Sequence, residues 1–204
     1  QSVAANPVVW IVLLIVLLMA VIVGAIGAVI GSGGAANSAE DYTYQAQVSE
    51  QTESYRDMVE DYCEKYGIDD YVDLCLAVIE QESGGNPPDV MQTEQSYYNV
   101  NPPIDTVEES IDCGTHELSD CLTKAKSKSP NDIKGISLAL QGYNFGSGYI
   151  DWALKNYGCY SKENAEIFSK KMCVELGYDS YGDVEYVPHV LRYLHSQSGN
   201  YGYK

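Results

Sequence analysis

With 204 residues, the chain has room for one domain of ordinary size plus accessory segments. Its formal charge of −17, from 29 acidic against 12 basic residues, argues against a nucleic-acid partner. Phosphate binding needs clustered Lys and Arg, and no basic stripe is present.

No charged residue occurs before Glu40, and Pro7 to Ile30 is an almost unbroken apolar run. A helix of about 20 residues crosses the hydrocarbon core of a bilayer, so residues 1–31 are expected to form one transmembrane helix. A cleaved signal peptide is the rival, but its apolar stretch would be shorter and follow a basic start. The chain opens on Gln1 rather than Met, so a preceding native segment is expected, and with it the basic residues that would fix orientation. Residues 32–53 are rich first in Gly, Ala and Ser and then in polar residues, the composition of a flexible tether. Residues 54–204 form the predicted globular domain.

The six cysteines fall into sequence neighbours: Cys63 with Cys75, Cys113 with Cys121, Cys159 with Cys173. An even count beyond a membrane anchor suggests disulfides and an extracellular domain on a single-pass membrane protein, with neighbour pairing the preferred connectivity. A zinc site on Cys113, His116 and Cys121 is the alternative, though it lacks the paired spacing of structural zinc. No metal or cofactor is therefore assigned.

Within the domain, Ser54 to Tyr66 repeats apolar residues at helical spacing and stops at Gly67. Asp69 or Asp70 is placed to cap the next helix. That helix, beginning at Val72, presents Val72, Leu74, Cys75, Leu76, Val78 and Ile79 over one broad arc. Glu82 falls inside the arc, whereas Glu80 projects outside it toward the polar side. A carboxyl group at the last turn of a buried helix loses water and faces the negative end of the helix dipole; both raise its pKa, as a general acid near neutral pH requires. A lone glutamate at a helix end is, taken by itself, more often a structural group that bonds the following loop.

Pro87 to Pro103 is a long polar loop with Gln92, Gln95, Tyr97, Tyr98 and Asn99, and loops of that length are commonly functional. Amides and Tyr rings suit sugar hydroxyls and sugar faces, although a merely solvated loop has the same composition. Thr106 to Lys126 reads as a helix opened by a Thr106/Glu109 capping box. Asn131 to Gly142 reads as another, interrupted at 143–148 and resumed over Tyr149 to Asn156. Ser161 to Leu176 and Tyr186 to Ser196 complete the set. No segment alternates with strand period, so the domain is expected to be mainly α. Eighteen Tyr against two Phe favour stacking with a polar tip, which also suits sugars.

Several blocks then stand in a distinctive order: Gln81-Glu82-Ser83-Gly84, Asp89-Val90-Met91-Gln92 with Ser96, Gln141-Gly142-Tyr143-Asn144-Phe145-Gly146, and Val187-Pro188-His189-Val190-Leu191-Arg192-Tyr193. The chain from about Tyr55 to Tyr193 resembles the lysozyme-like muramidase and lytic transglycosylase superfamily, and in detail the CwlT-type lysozyme domain of Gram-positive conjugative elements. The resemblance implies a goose-type, SLT-like helical domain behind the transmembrane helix. It implies Glu82 as catalytic acid, Asp89 as a second functional acid, and Ser83, Gln92, Ser96, Tyr143 and Asn144 as substrate-binding residues. Tyr143 would touch the scissile sugar and Asn144 its N-acetyl or backbone groups. From spacing alone, a helix hairpin with Tyr143 in the core fits equally well.

The expected activity is cleavage of the β-1,4 bond between N-acetylmuramic acid and N-acetylglucosamine in peptidoglycan, opening the wall for a conjugative type IV secretion apparatus. Two alternatives stand beside it: a lytic transglycosylase working through the same Glu82, and a non-catalytic wall-binding scaffold. The position of Asp89 favours hydrolysis. The peptidase domain that such proteins commonly append would lie outside these 204 residues.

Overall fold

The computed structural model describes residues 43–100 and 102–197. The membrane span expected over residues 1–31 lies outside them; among the described residues no helix is long and apolar enough to cross a bilayer. Of the tether expected over 32–53, residues 43–53 include ordered elements, and the rest lies outside the described residues. Thr43–Ala46 is strand β1, and Glu50–Glu53 is a one-turn helix, α1, capped by Ser49. These residues are ordered by long-range bonds rather than by their own propensity. β1 pairs antiparallel with β2, Leu194–Gln197, with Ala46 opposite Leu194. The predicted last helix accordingly ends early: α8 spans only Tyr186–Leu191, and the chain turns at Arg192 into the strand. This small sheet is the exception to an otherwise helical domain. It escaped the sequence reading because four-residue strands carry too little alternation to register.

The helices between follow the apolar periodicity closely. α2 covers Arg56–Tyr66 and closes on Gly67; α3 covers Val72–Ser83. Asp69 and Asp70 do not cap α3. They lie in the short 3-10 turn Asp69–Tyr71, and the residue at the α3 N-cap is Tyr71, with no side-chain bond. α4 is Val107–Ala125, opened by the expected reciprocal bonds of Thr106 and Glu109. α5 is Ile133–Phe145, α6 Gly148–Asn156 and α7 Lys162–Leu176, the last started by Ser161. The break between α5 and α6 falls at Gly146 and Ser147, so Tyr143 and Asn144 sit on the last turn of a helix rather than in the loop expected over 143–148.

α3 is the axis of the domain. Leu74 to Ile79 are six successive residues at 4% exposure or less, so the helix is enclosed on every side through that stretch. It packs against α1, α2, α8 and β1, while α4 packs against α2 and α5. Burying an aliphatic side chain contributes roughly 1.5–3 kcal/mol. A helix with so many enclosed residues is therefore a rigid mount for whatever its last turn carries.

All six cysteines are thiols. The proximity expected of Cys63 and Cys75 is present, with Sγ atoms 3.5 Å apart between α2 and α3. The pairing expected of Cys113 and Cys121 is geometrically excluded, because both lie on the continuous helix α4. At 1.5 Å per residue they stand about 12 Å apart along the axis, far beyond the reach of a bridge. Cys159 is exposed and Cys173 half-buried, and they too are unbridged. His116 is stacked between the rings of Tyr66 and Tyr98, at centroid distances of 4.3 and 3.8 Å. It serves as an aromatic spacer that fastens the 97–100 segment to α4.

Candidate active site

Glu82 occupies the last turn of α3, which stops because Gly84 adopts a left-handed conformation, φ 62°, that other residues adopt only with strain. The chain then folds back on the helix. Ser83 Oγ donates to the Val90 carbonyl at 2.8 Å and accepts from the Gly85 N–H at 3.1 Å. The hydroxyl of Ser83, a residue expected to bind substrate, makes these bonds within the turn.

Asp89 is the second brace. Its Oδ1 accepts from the Thr93 N–H at 2.9 Å, from Thr93 Oγ1 at 3.1 Å and from the buried Ser110 Oγ at 2.7 Å, and its Oδ2 accepts from the Glu94 N–H at 3.0 Å. Four donors account for about the whole acceptor capacity of a carboxylate. Ser110 in turn accepts the Met91 N–H at 2.9 Å, and the Met91 carbonyl accepts from the Tyr143 hydroxyl at 3.0 Å. The Asp89-Met91 segment is thereby clamped between α4 and α5.

Glu82 itself is half-buried and accepts a 2.5 Å hydrogen bond from the hydroxyl of Tyr186, a fully enclosed residue of α8. Burial pushes its carboxyl group up to about 7. The Tyr186 bond pulls the other way, while the charges of Asp89, Asp183 and Glu117 push further up. No basic group enters that balance. The acid of the expected pair that was placed on ordinary surface behaves differently. Glu80 Oε2 is bonded by the Ser49 N–H, Ser49 Oγ and Thr52 Oγ1. Burial raises the Glu80 pKa, but these bonds outweigh it and hold the group below the ordinary carboxylate range. Two glutamates two positions apart thus have their pKa values driven in opposite directions, one toward holding a proton and the other toward the charge that anchors α1.

Two of the acids whose charge acts on Glu82, Asp89 and Glu117, line a polar cavity of about 490 Å³, although Glu82 itself is not among its lining residues. Five of the expected site residues line it: Asp89, Gln92, Ser96, Tyr143 and Asn144. Gln92 holds a positive φ of 54° and its amide donates to the Asp89 carbonyl, which leaves its side-chain oxygen to the cavity. Asn144 Oδ1 accepts from the Asp183 N–H at 2.7 Å and so fixes the 181–183 segment forming the far lip, while its own Nδ2 remains available. The Tyr143 hydroxyl is spent on Met91, and its ring edges the cavity.

Two residues of the site escaped the sequence reading. Glu117 lines the cavity from α4. A sequence signal existed, since it lies three residues after Gly114 and four before Cys121, on the helix stripe that is otherwise buried. Tyr186 carried none, being one of eighteen tyrosines and 104 positions from its partner.

A helical domain with a raised glutamate on its central helix, facing a braced polar loop, is the architecture of the lysozyme-like family. The family's sequence pattern matches residues 49–204, and the chain belongs to it. Among curated relatives, it is 36% identical over 153 residues to the bifunctional muramidase/DL-endopeptidase CwlT of Bacillus subtilis strain 168, a match over 75% of this chain and 44% of that one, which marks it as a CwlT-type lysozyme-like domain. It is 33% identical over 117 residues to a pneumococcal vaccine antigen A homolog of Streptococcus pyogenes serotype M6, covering 57% of each. Among solved structures, the crystal structure of a protein described as similar to lipoprotein, NLP/P60 family, from Staphylococcus aureus Mu50 superposes with a TM-score of 0.64 at 30% identity, over 78% of this chain and 57% of that one. The chain spans about half the length of these relatives.

Proposed function

We propose that the domain cleaves the glycan strand of peptidoglycan, at the β-1,4 bond between N-acetylmuramic acid and N-acetylglucosamine, with Glu82 as general acid. The observation that carries this reading is a carboxyl group pushed up to about 7 and coupled by charge to two acids, Asp89 and Glu117, that line a sugar-sized polar cavity. Such a group holds a proton near neutral pH and can release it to the glycosidic oxygen as the C–O bond breaks. Because Tyr186 donates to Oε1, Oε2 is the oxygen left to carry the acid proton.

Hydrolysis also requires a group that takes a proton from the attacking water. A lytic transglycosylase does not: the muramic 6-hydroxyl attacks, and the same glutamate serves as base. Asp89, braced by four donors, serves to hold the loop, so hydrolysis would have to draw its base from another residue of the cavity. Mass spectrometry of muropeptides released from purified walls separates the two. Reducing muramic ends support hydrolysis, and exclusively anhydro-muramic ends refute it. A wall zymogram with wild type and Glu82→Gln tests the acid itself and the non-catalytic scaffold reading together, since a cleared band that persists in the variant removes Glu82 from the chemistry. In this reading residues 1–31 anchor the protein in the cell membrane with the domain outside, where it opens the wall for a conjugation apparatus. The support for that setting is the apolar N-terminal sequence and the resemblance to CwlT.

A further inference from the structure

Three acids act on Glu82 through their charge: Asp89, Asp183 and Glu117. Two of them are already occupied. Asp89 is bound by four donors. Asp183 Oδ2 is bonded to His189 Nδ1 at 2.6 Å, and its Oδ1 accepts the Glu185 N–H at 2.8 Å. Glu117 differs from both. It caps no helix and forms no ion pair among the described residues, and the contact that its carboxyl group makes is with the hydroxyl of Ser96. It is nevertheless half-buried and lines the cavity, on the wall built by α4. A carboxyl group withdrawn from water without a cation costs stability, and the Ser96 hydroxyl is the contact it receives in return.

We infer that Glu117 is the general base of hydrolysis, an assignment that rests on the hydrolytic reading of the Glu82 site. The step balances as follows. Glu82 gives its proton to the glycosidic oxygen, the bond from that oxygen to the anomeric carbon breaks, and the departing sugar leaves with a 4-hydroxyl. Water forms the new bond to the anomeric carbon from the opposite face, and its proton passes to the Glu117 carboxylate. The product is a hemiacetal of inverted, α configuration. Afterwards Glu82 is ionised and Glu117 protonated, and exchange with solvent restores both. Burial pushes the Glu117 pKa up, with the Asp120 charge adding to it against the opposing Ser96 bond. A carboxylate so placed holds a water proton better than an exposed one does. Ser96, which contacts Glu117 from the facing loop, positions it.

The test uses the full chain on purified peptidoglycan. Glu117→Gln keeps the size of the side chain and a hydrogen-bonding partner for Ser96. It should lower kcat by roughly 100-fold or more, with KM changed only a few-fold and the melting temperature not reduced. It should also abolish the acidic limb of the pH profile, which a merely structural residue would leave in place. Azide needs no base, so it should restore turnover to Glu117→Ala and yield an α-glycosyl azide, while leaving Glu82→Gln inactive. Proton NMR of the first wild-type product should show the α anomer. Glu117→Gln with more than about a tenth of wild-type activity, or a β anomer appearing first, overturns the assignment of Glu117 while Glu82→Gln, if inactive, still upholds glycan cleavage. An active Glu82→Gln overturns both.

Discussion

The hydroxyl of Tyr186 reaches Glu82 Oε1 at 2.5 Å and joins the short C-terminal helix α8 to the end of the central one. This bond favours the ionised carboxylate and so works against the burial that keeps Glu82 protonated. Tyr186→Phe retains the enclosed ring and removes only the donor. The pKa of Glu82 should then rise, and the basic limb of kcat/KM with it. Orientation of the acid is lost at the same time, so kcat below that limb should fall by about 3- to 10-fold, in line with losing one hydrogen bond worth roughly 1 kcal/mol. A basic limb that moved to lower pH would contradict the balance described for this group.

Glu82 also burdens the fold. Its ordinary value is 4.5 and its folded value about 7. Below pH 4.5 both folded and unfolded chains hold the proton and the group is neutral to stability. Between 4.5 and 7 the folded chain keeps a proton that the unfolded chain releases, so stability falls by up to about 1.4 kcal/mol per pH unit. The deficit is complete above pH 7 and amounts to roughly 2–3 kcal/mol once partial exposure is allowed for. Glu82→Gln should therefore be more stable than wild type in urea at pH 8 by about that amount and equal to it at pH 4. Equal stability at both values would mean that the carboxyl group is not desolvated.

How much of this was legible in the sequence depended on distance along the chain. The helix caps at Thr106 and Gly67, and the place of Glu82 on a buried arc, are local facts, and each was readable because its cause lies within one or two turns. The bracing of Asp89 by Ser110 and the Tyr186 bond to Glu82 join remote segments, and no period or propensity encodes them. The Cys113 and Cys121 pairing failed for a related reason. Neighbours in sequence were taken as neighbours in space, and a continuous helix keeps them apart. Glu117 was readable in principle by the logic that found Glu82, an acid on an otherwise buried stripe, but no motif drew attention to it.

Asp89 holds the loop over 89–94, so its loss should be felt there first. Asp89→Ala removes the acceptor from the N–H groups of Thr93 and Glu94 and from the hydroxyls of Thr93 and Ser110. The expected cost is about 2–3 kcal/mol, below the sum of four bonds because water replaces part of what is lost. Amide hydrogen exchange at Thr93 and Glu94 should accelerate, and wall-lytic activity should be lost along with the shape of the cavity. Glu117→Gln should leave those two amides protected. Unchanged exchange in Asp89→Ala would free Asp89 from the bracing role.

Met91 is fully buried against Gly114 of α4, and its carbonyl is the acceptor for Tyr143. A Cβ added at Gly114 would lie 2.5 Å from Met91 Sδ and 2.7 Å from Met91 Cβ. The first contact could be relieved by rotating a flexible side chain. The second is fixed to the backbone, so relief requires the 90–92 segment to move away from α4 and its carbonyl to draw off Tyr143. Overpacking of this kind costs about 1–3 kcal/mol, and a chain of this size should lose several degrees of melting temperature. Gly114→Ala should lose activity beyond what that destabilisation explains, because the displaced segment carries Gln92 into a different position on the cavity wall. Gly148→Ala is the matched control: an added Cβ there meets nothing within 4 Å, and the variant should keep both stability and activity. If Gly114→Ala melted with wild type and cleaved walls normally, the 90–92 segment would have slack, and the bond from Tyr143 to Met91 would not set the shape of the cavity.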